Sequence, residues 1–335
     1  MKKNLGILIL LTVIFVVTAL CNDSFLSAYN LFNVIERASL YGIIGIGVAF
    51  VIITGGIDLS IGSFIGLVAS TVPFIVVTHE MPLAVGLLAI LAMSLAAGFG
   101  HGLLITKLKL QPFVVTLCGL MIYRGLARWI TSDKSPGFGP EQLEPLRPLG
   151  NMKIPVGTLP VIGEFSLPIV FFIFLGLAIA AAVFLNKTIY GRYLLALGRN
   201  EQAARYSGIR TDRMTIVAYV LCSLIAGLGG LLFAVDQRSV QPDSFGNFYE
   251  LYAIAAAVLG GCSLRGGEGS ILGIALGATL MRLLMNSIQM IGIADTLEPV
   301  VLGVVILVGV IVDELVKRIA AKRRASLAAK DASAS

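Results

Sequence analysis

The stretch GGIDLSIGS at positions 55–63 places one carboxylate, Asp58, among closely spaced glycines. Its flanks are aliphatic enough for lipid hydrocarbon, where a charged side chain costs at least about 2.5 kcal/mol, so Asp58 is a candidate functional residue. Glycines allow a helix to break, and the amides freed at the next helix start can bind a polar group. The sequence therefore predicts a helix break in which Asp58 and Ser60 either cap the following helix or bind a polar solute.

A second glycine-rich stretch, GGCSLRGGEGS at positions 260–270, has a similar layout. Both stretches begin with two glycines, carry a leucine at a similar offset and continue with spaced glycines, which we interpret as weak internal symmetry between the two halves of the chain. Paired breaks of this kind in apolar segments are typical of a transport path. The predicted path residues are Gly55, Gly56, Asp58, Ser60, Gly62, Gly260, Gly261, Gly266, Gly267 and Gly269.

No catalytic constellation accompanies these residues in the sequence. The two histidines lie far apart, and the four cysteines are scattered without a C-x-x-C spacing, so neither a metal site nor a disulfide framework is predicted. The apolar segments contain no cluster of His, Asp and Glu and no Ser/His pair. We therefore expect neither an intramembrane enzyme nor a cofactor bound by this chain.

The composition places these stretches in a membrane protein. Hydrophobic residues make up 57% of the 335 and charged residues only 13%, about half the charged share of soluble domains, and the mean hydropathy is +0.93. Several runs reach the ~20 apolar residues that an α-helix needs to cross the hydrocarbon. We predict one all-α, polytopic membrane domain over residues 1–335 with about ten transmembrane helices (8–10), in which 250–262 is short enough to be a half-helix. The candidate spans are 5–21, 38–54, 60–78, 83–105, 113–130, 167–185, 214–235, 250–262, 270–291 and 296–314.

Lysine and arginine set the orientation, because they stay on the cytoplasmic side of a membrane. With Lys2 and Lys3 inside, alternation through ten spans places 17 of the 25 basic residues in cytoplasmic segments. Both termini are then cytoplasmic, including a basic tail at 316–335, and the proline-rich stretch 131–166 is an extracytoplasmic loop. Topology and anionic lipid explain the net charge of +6, so nucleic acid is not an expected partner.

The loop between the sixth and seventh spans, residues 186–213, is expected in the cytoplasm and carries the signals of a short helix. Asn200 is a good N-cap, Glu201 suits the positive end of the helix dipole, and Gly208 suits the C-terminal cap. Two alanines between them make one face small enough to enter a groove on a partner. A helical loop that only joins two spans is the alternative.

The same loop fits the motif G-x-x-x-x-A-x-G-x-N-x-x-A-A-x-x-x-G-I, which closely resembles the cytoplasmic loop of permease subunits in ribose- and xylose-type ABC sugar importers of bacteria. The stretches GGIDLSIGS and GGCSLRGGEGS resemble two further hallmarks of that family, and the resemblance runs from about residue 30 to about residue 315. The residues that match the loop motif, for which the resemblance implies a role in coupling to an ATPase, are Gly191, Ala196, Gly198, Asn200, Ala203, Ala204, Gly208 and Ile209.

The resemblance implies a multi-pass permease of the bacterial inner membrane that imports a monosaccharide. Its implied partners are a cytoplasmic ABC ATPase, an extracytoplasmic sugar-binding protein, and a second permease copy or a sister permease in the lipid bilayer. The sequence contains no G-x-x-x-x-G-K-[ST] phosphate loop, so ATP is expected to be hydrolysed by the ATPase chain. The sugar stays open, and a stand-alone proton- or sodium-coupled carrier is the alternative function. In an importer Asp58 either caps its helix or accepts a hydrogen bond from a sugar hydroxyl, whereas a proton relay would suit the secondary carrier.

Overall fold

The computed structural model describes residues 5–135, 137, 144–159, 162–237, 239–308 and 311. The basic tail predicted at 316–335 lies outside these residues. Within them the chain forms thirteen α-helices and one two-stranded sheet. The helices are α1 Leu5–Cys21, α2 Ala28–Ile53, α3 Ile61–Pro73, α4 Leu83–Thr106, α5 Pro112–Thr131, α6 Arg147–Asn151, α7 Ile169–Lys187, α8 Ile189–Arg199, α9 Glu201–Tyr206, α10 Thr211–Gln237, α11 Tyr249–Leu259, α12 Ile271–Ile291 and α13 Glu298–Val308.

Ten of these helices are apolar and match the ten predicted spans one for one. Seven are long enough to cross a membrane: α2, α4, α5, α7, α10, α12, and α3 together with a π-helical turn that extends it to Thr78. Three are shorter, and among them α11 has 11 residues, about 16 Å, which is too short to cross the ~30 Å hydrocarbon core by itself. The prediction of a polytopic α-helical membrane protein is therefore confirmed.

The long helices divide into a buried centre and a periphery. The apolar stretch of α2 is 89% buried inside the protein and that of Ile61–Thr78 is 78% buried, followed by α10 and α12 at 67% each. The corresponding shares are 28% for α4 and 22% for both α5 and α7, so most of their surface is left for lipid or for a partner subunit. Glycines let α4 approach α10 closely, since Gly98 and Gly102 bring its backbone against Val220 and Ile216.

The central helix α2 begins at Ala28, ten residues before the predicted start at 38. The missed turns contain polar and charged residues that hydropathy excludes from a span. The protein supplies partners for them: the Asn30 and Asn286 side chains exchange hydrogen bonds of 2.8 and 3.2 Å, and Arg37 pairs with Asp236 at 3.0 Å. Polar residues are tolerated inside a bundle when facing helices satisfy them.

The stretch 131–166 is a connection and not a span, but it contains the sheet that an all-α prediction omits. Strand β1, Lys153–Leu159, pairs antiparallel with β2, Gly163–Pro168, and Lys153 lies opposite Pro168. The hairpin lies against the first turns of α2, where the Lys153 ammonium sits 4.8 Å from the centre of the Phe32 ring. The all-α class is therefore confirmed, and this connection adds one short hairpin to it, because proline-rich chain forms extended structure more readily than helix.

Candidate functional site

Asp58 lies in the seven-residue break between α2 and α3 and is only 1% exposed. Its Oδ1 accepts two hydrogen bonds, one from the backbone amide of Ser60 at 2.9 Å and one from the Ser60 hydroxyl at 2.6 Å. The Ser60 carbonyl in turn accepts from the amide of Phe64 in the first turn of α3 at 2.8 Å. The carboxylate thus holds Ser60, the N-cap residue of α3, in the turn before the helix, while no side chain makes a cap hydrogen bond to the helix itself.

Side chains from two other helices hold the same break from outside. The carbonyl oxygen of Ile57 accepts hydrogen bonds from the Tyr219 hydroxyl of α10 at 3.2 Å and the Thr116 hydroxyl of α5 at 3.3 Å. The non-helical backbone is therefore satisfied by protein at this depth, as the bilayer requires.

The three glycine-rich motifs meet at one junction, formed by Ile53, Gly55, Gly198, Gly266 and Gly267. The amide of Gly267 donates to the carbonyl of Ile53, the last residue of α2, at 2.8 Å. A Cβ at Gly198 would collide with those same two backbone atoms, and a Cβ at Gly266 would lie 2.8 Å from the Gly198 carbonyl oxygen and 2.8 Å from the Gly55 amide nitrogen. The end of α8 therefore contacts both predicted breaks, backbone to backbone, which we call the glycine junction.

The remaining predicted path residues lie on either side of this junction. Gly56 is buried beside the Tyr219 hydroxyl, and Gly62 packs against Gly246 and Glu250. Further along, Gly260 lies against Gly273 of α12, Gly269 lies against Ile53, and Gly261 forms an open turn with a φ of +87°. The two stretches are thus brought together, but their glycines contact protein backbone more than open space.

The segment from α8 to α9 has the local geometry predicted from its sequence. The Asn200 side chain caps α9 by accepting from the amide of Ala203 at 2.9 Å, and Gly208 has a φ of +82° directly after the last turn. Both predicted caps are confirmed. Leu194 and Leu197 of α8 are buried and hold the segment on the body of the protein.

The coupling residues predicted from the motif divide into buried and exposed sets. Gly191 packs against the backbone of α7, Ala196 is half-buried, and Gly198 lies in the glycine junction. Ala204 is only 4% exposed, whereas Ala203, the residue directly before it, is exposed. Of the two alanines expected to face a partner, Ala204 is therefore turned into this chain and Ala203 is turned outward. Next to Ala203, Glu201, Gln202, Arg205 and Tyr206 are also exposed.

A cavity of about 370 Å³, wide open to the surface and with five exposed residues in its lining, lies at a segment for which the sequence predicted no role. It is formed where residues 239–248, here called the re-entrant segment, turn back from the end of α10 before α11 begins. The signal that could have found it is the sequence SVQPDSFGNF, with its proline, glycine and amides, in front of a helix too short to cross the membrane. The lining residues are Gln237, Ser239, Gln241, Ser244, Phe245, Gly246, Asn247 and Tyr249.

Comparisons with known proteins show which family and which relatives the chain resembles. Residues 30–310 match the family model described as "Branched-chain amino acid transport system / permease component". The chain is 35% identical over 307 residues to the ribose import permease protein of Escherichia coli, which covers 91% of this chain and 92% of that protein. It is 34% identical over 320 residues to the ribose import permease protein of Bacillus subtilis, covering 93% of this chain and 92% of that protein. It is 31% identical over 317 residues to the L-arabinose transport system permease protein of Escherichia coli, covering 92% and 89%. No solved structure matches the chain significantly.

Proposed function

Because the chain belongs to the family of branched-chain amino acid transport system permease components, we propose that it is the membrane-spanning permease of a bacterial ABC importer for a ribose-like monosaccharide. The choice of a sugar as the substrate rests on the identity of 31–35% to permeases named for ribose and L-arabinose, along more than nine tenths of this chain. The family description names amino acids instead, so branched-chain amino acids are the second candidate substrate. Neither substrate requires this chain to catalyse a reaction.

The proposed partners follow from the same assignment. A cytoplasmic ABC ATPase would hydrolyse the ATP, since this chain has no phosphate loop of its own. An extracytoplasmic binding protein would deliver the sugar, and a second copy of this chain or a sister permease would complete the pore in the inner membrane. The peripheral helices α4, α5 and α7 leave the exposed apolar surface that lipid and a second permease would cover.

We place both termini and residues 186–213 in the cytoplasm, and residues 131–166 outside. The lysine and arginine asymmetry of the sequence supports this orientation, and it includes the basic residues at the end of α4, near the start of α10. There Lys107 and Lys109 reach Asp212 at 3.1 and 3.6 Å. Ten spans return the chain to the side on which it began.

Within this frame the glycine-rich breaks form the cytoplasmic part of the sugar path, and α9 is the contact for the ATPase. The glycine junction supports both assignments, because it connects the breaks to α8 through backbone contacts with no side chain between them. A movement of α8 would therefore displace the end of α2 and the turn at 266–267 together. Packed backbones transmit such a shift as a change between discrete arrangements.

Transport in proteoliposomes tests the proposal. The permease is reconstituted with the ATPase and the binding protein encoded beside it, ATP is enclosed on the ATPase side, and uptake of radiolabelled ribose, L-arabinose and leucine is compared. We expect ATP-dependent uptake of a pentose, and none when the ATPase is omitted. Uptake of leucine alone would support the second substrate class. Uptake without the ATPase, driven by an imposed proton or sodium gradient, would show that the chain is a secondary carrier.

A further inference from the structure

The re-entrant segment is folded into the helix bundle and does not lie beyond its end. The Arg124 guanidinium of α5 donates to the carbonyl of Phe245 at 2.6 Å, to the carbonyl of Pro242 at 3.2 Å and to the side-chain oxygen of Asn247 at 2.7 Å. Gly246 packs against Gly62, the second residue of α3. The segment is thus held between α3 and α5 by backbone contacts and by one half-buried cation, Arg124.

These contacts set the depth of the segment. Arg124 lies seven residues before the end of α5, which corresponds to about 10 Å along the helix axis. The Phe245 ring lies 6.4 Å from the ring of Phe233, which is four residues, or about 6 Å, inside the end of α10. Non-helical backbone at this depth occurs only where protein buries it or where it lines a water-filled cavity. The exposed amides and hydroxyls of the segment therefore face an aqueous space.

The lining of the cavity suits a polyol. Six of its eight residues offer a carboxamide or a hydroxyl, which both donate and accept hydrogen bonds, as sugar hydroxyls do. Phe245 and Tyr249 add aromatic surface against which the C–H face of a sugar ring can pack. None of the eight carries a formal charge, although the Asp243 carboxylate accepts from the Ser244 hydroxyl at 2.9 Å and the Arg124 guanidinium donates to the Asn247 side chain at 2.7 Å.

We propose that this cavity is the outer sugar subsite of the transport path, an assignment that rests on the proposed function. A monosaccharide released by the binding protein hydrogen-bonds there to Gln241, Ser244 and Asn247 before it passes inward along α3. Arg124 positions the subsite by holding Phe245 and Asn247, and does not itself line it. At about 370 Å³ the cavity lies near the lower end of small-molecule sites, about 300–1,000 Å³. Its contacts are few, so the sugar leaves readily, as conduction requires.

Two substitutions remove sugar contacts and leave the segment folded. Gln241→Leu keeps the backbone carbonyl that accepts from the amides of Ser244 and Phe245 at 3.3 and 2.9 Å. Asn247→Asp keeps the side-chain oxygen that accepts from Arg124 but loses the amide donor. Gln111→Leu is the matched control, because Gln111 is exposed at the opposite end of α5 and its side chain makes no cap hydrogen bond.

The readout is the number of sugar molecules transported per ATP hydrolysed, in proteoliposomes with saturating sugar-loaded binding protein and [14C]ribose or [14C]arabinose. We expect Gln241→Leu and Asn247→Asp each to lower this ratio by about two- to tenfold, the value of a single hydrogen bond. Stimulated ATP hydrolysis and co-precipitation of the binding protein are expected to equal those of the wild type and of Gln111→Leu.

Two results would overturn the subsite. One is an unchanged ratio in both variants; the other is a parallel loss of transport and ATP hydrolysis, with or without loss of binding-protein docking, which would assign the segment a purely structural or docking role. Failure of the proposed function looks different, since the wild type would then transport neither pentose under any condition, and the subsite would fall with it.

Discussion

At the scale of single residues, Asp58 shows how a charged side chain can be kept inside an apolar segment. Its carboxylate is bonded to the amide and hydroxyl of Ser60 and is 1% exposed. Of the three roles that the sequence leaves open, this geometry favours the structural one, because Oδ1 of Asp58 accepts both hydrogen bonds from Ser60, the residue before α3. A buried acid that holds Ser60 in this way stabilises the start of α3.

We therefore expect Asp58→Asn to keep sugar uptake and Asp58→Ala to destabilise the permease. Asparagine retains an acceptor oxygen for Ser60, whereas alanine leaves a buried amide and hydroxyl without it, at a cost of about 1–3 kcal/mol. Thermal unfolding in detergent, measured beside uptake in cells, separates the two, with Asp23→Ala as the control at an exposed aspartate. Loss of uptake in Asp58→Asn at unchanged thermal stability would mean that the negative charge itself takes part in transport.

Residue-level prediction worked where the signal is local. The N-cap at Asn200 and the left-handed Gly208 depend only on neighbours a few positions away, so the sequence contains all that is needed. Gln241 and Asn247 could not be found in the same way. Their meaning comes from the depth at which Arg124 and Gly62 hold the segment, which is a tertiary fact.

At the scale of elements, hydropathy located all ten apolar helices, and its largest error is the start of α2. That start is missed because polar residues such as Asn30 and Arg37, taken without their partners, are typical of a loop. Their partners, Asn286 and Asp236, lie about 200 residues or more further along the chain, beyond the reach of a local pattern. The hairpin in 131–166 was missed for a related reason, since its two strands stabilise each other across a turn and neither is strongly patterned alone.

The glycine junction gives an element-scale prediction with a matched pair of helical glycines. A Cβ at Gly198 would collide with backbone atoms of Ile53 and Gly267, whereas a Cβ at Gly176 of α7 would have no heavy atom within 4 Å. We expect Gly198→Ala to lower stability by about 1–3 kcal/mol through overpacking and to reduce stimulated ATP hydrolysis. Gly176→Ala should be neutral or stabilising by up to about 1 kcal/mol, as helix propensity predicts.

Thermal unfolding in detergent and ATPase assays in nanodiscs check this pair. Equal behaviour of the two variants would show that α8 can withdraw from α2 and the 266–267 turn at no cost. The junction would then be an ordinary packing contact and not the connection between the coupling loop and the helix breaks.

At the scale of the whole molecule, three motifs separated by about 140 and 70 residues converge on one point. The sequence suggested weak internal symmetry between the two glycine-rich stretches, but not that Gly198 would pack against both the end of α2 and the turn at 266–267. Local patterns carry no information on such convergence, which depends on how α2, α8 and α11 pack. Continuous contacts therefore run from the exposed α9 through α8 to both breaks, with Leu194 and Leu197 buried along them.

The exposure of Ala203 and Ala204 predicts which of the two alanines matters for coupling to the ATPase. Ala203 is exposed on α9, so Ala203→Trp leaves the permease folded but obstructs a cleft on the partner. We expect sugar-stimulated ATP hydrolysis to fall by roughly tenfold or more, the size of an interface hot spot, and the ATPase to co-purify poorly.

Ala204 is 4% exposed, so Ala204→Trp should instead destabilise the permease by about 1–3 kcal/mol. Ala180→Trp, at an exposed position of α7, controls for tryptophan itself. Pull-down and ATPase assays in nanodiscs, with expression and melting temperature recorded, decide between them. Full coupling in a well-folded Ala203→Trp variant would leave α9 as a connector and place the ATPase contact elsewhere on the cytoplasmic surface.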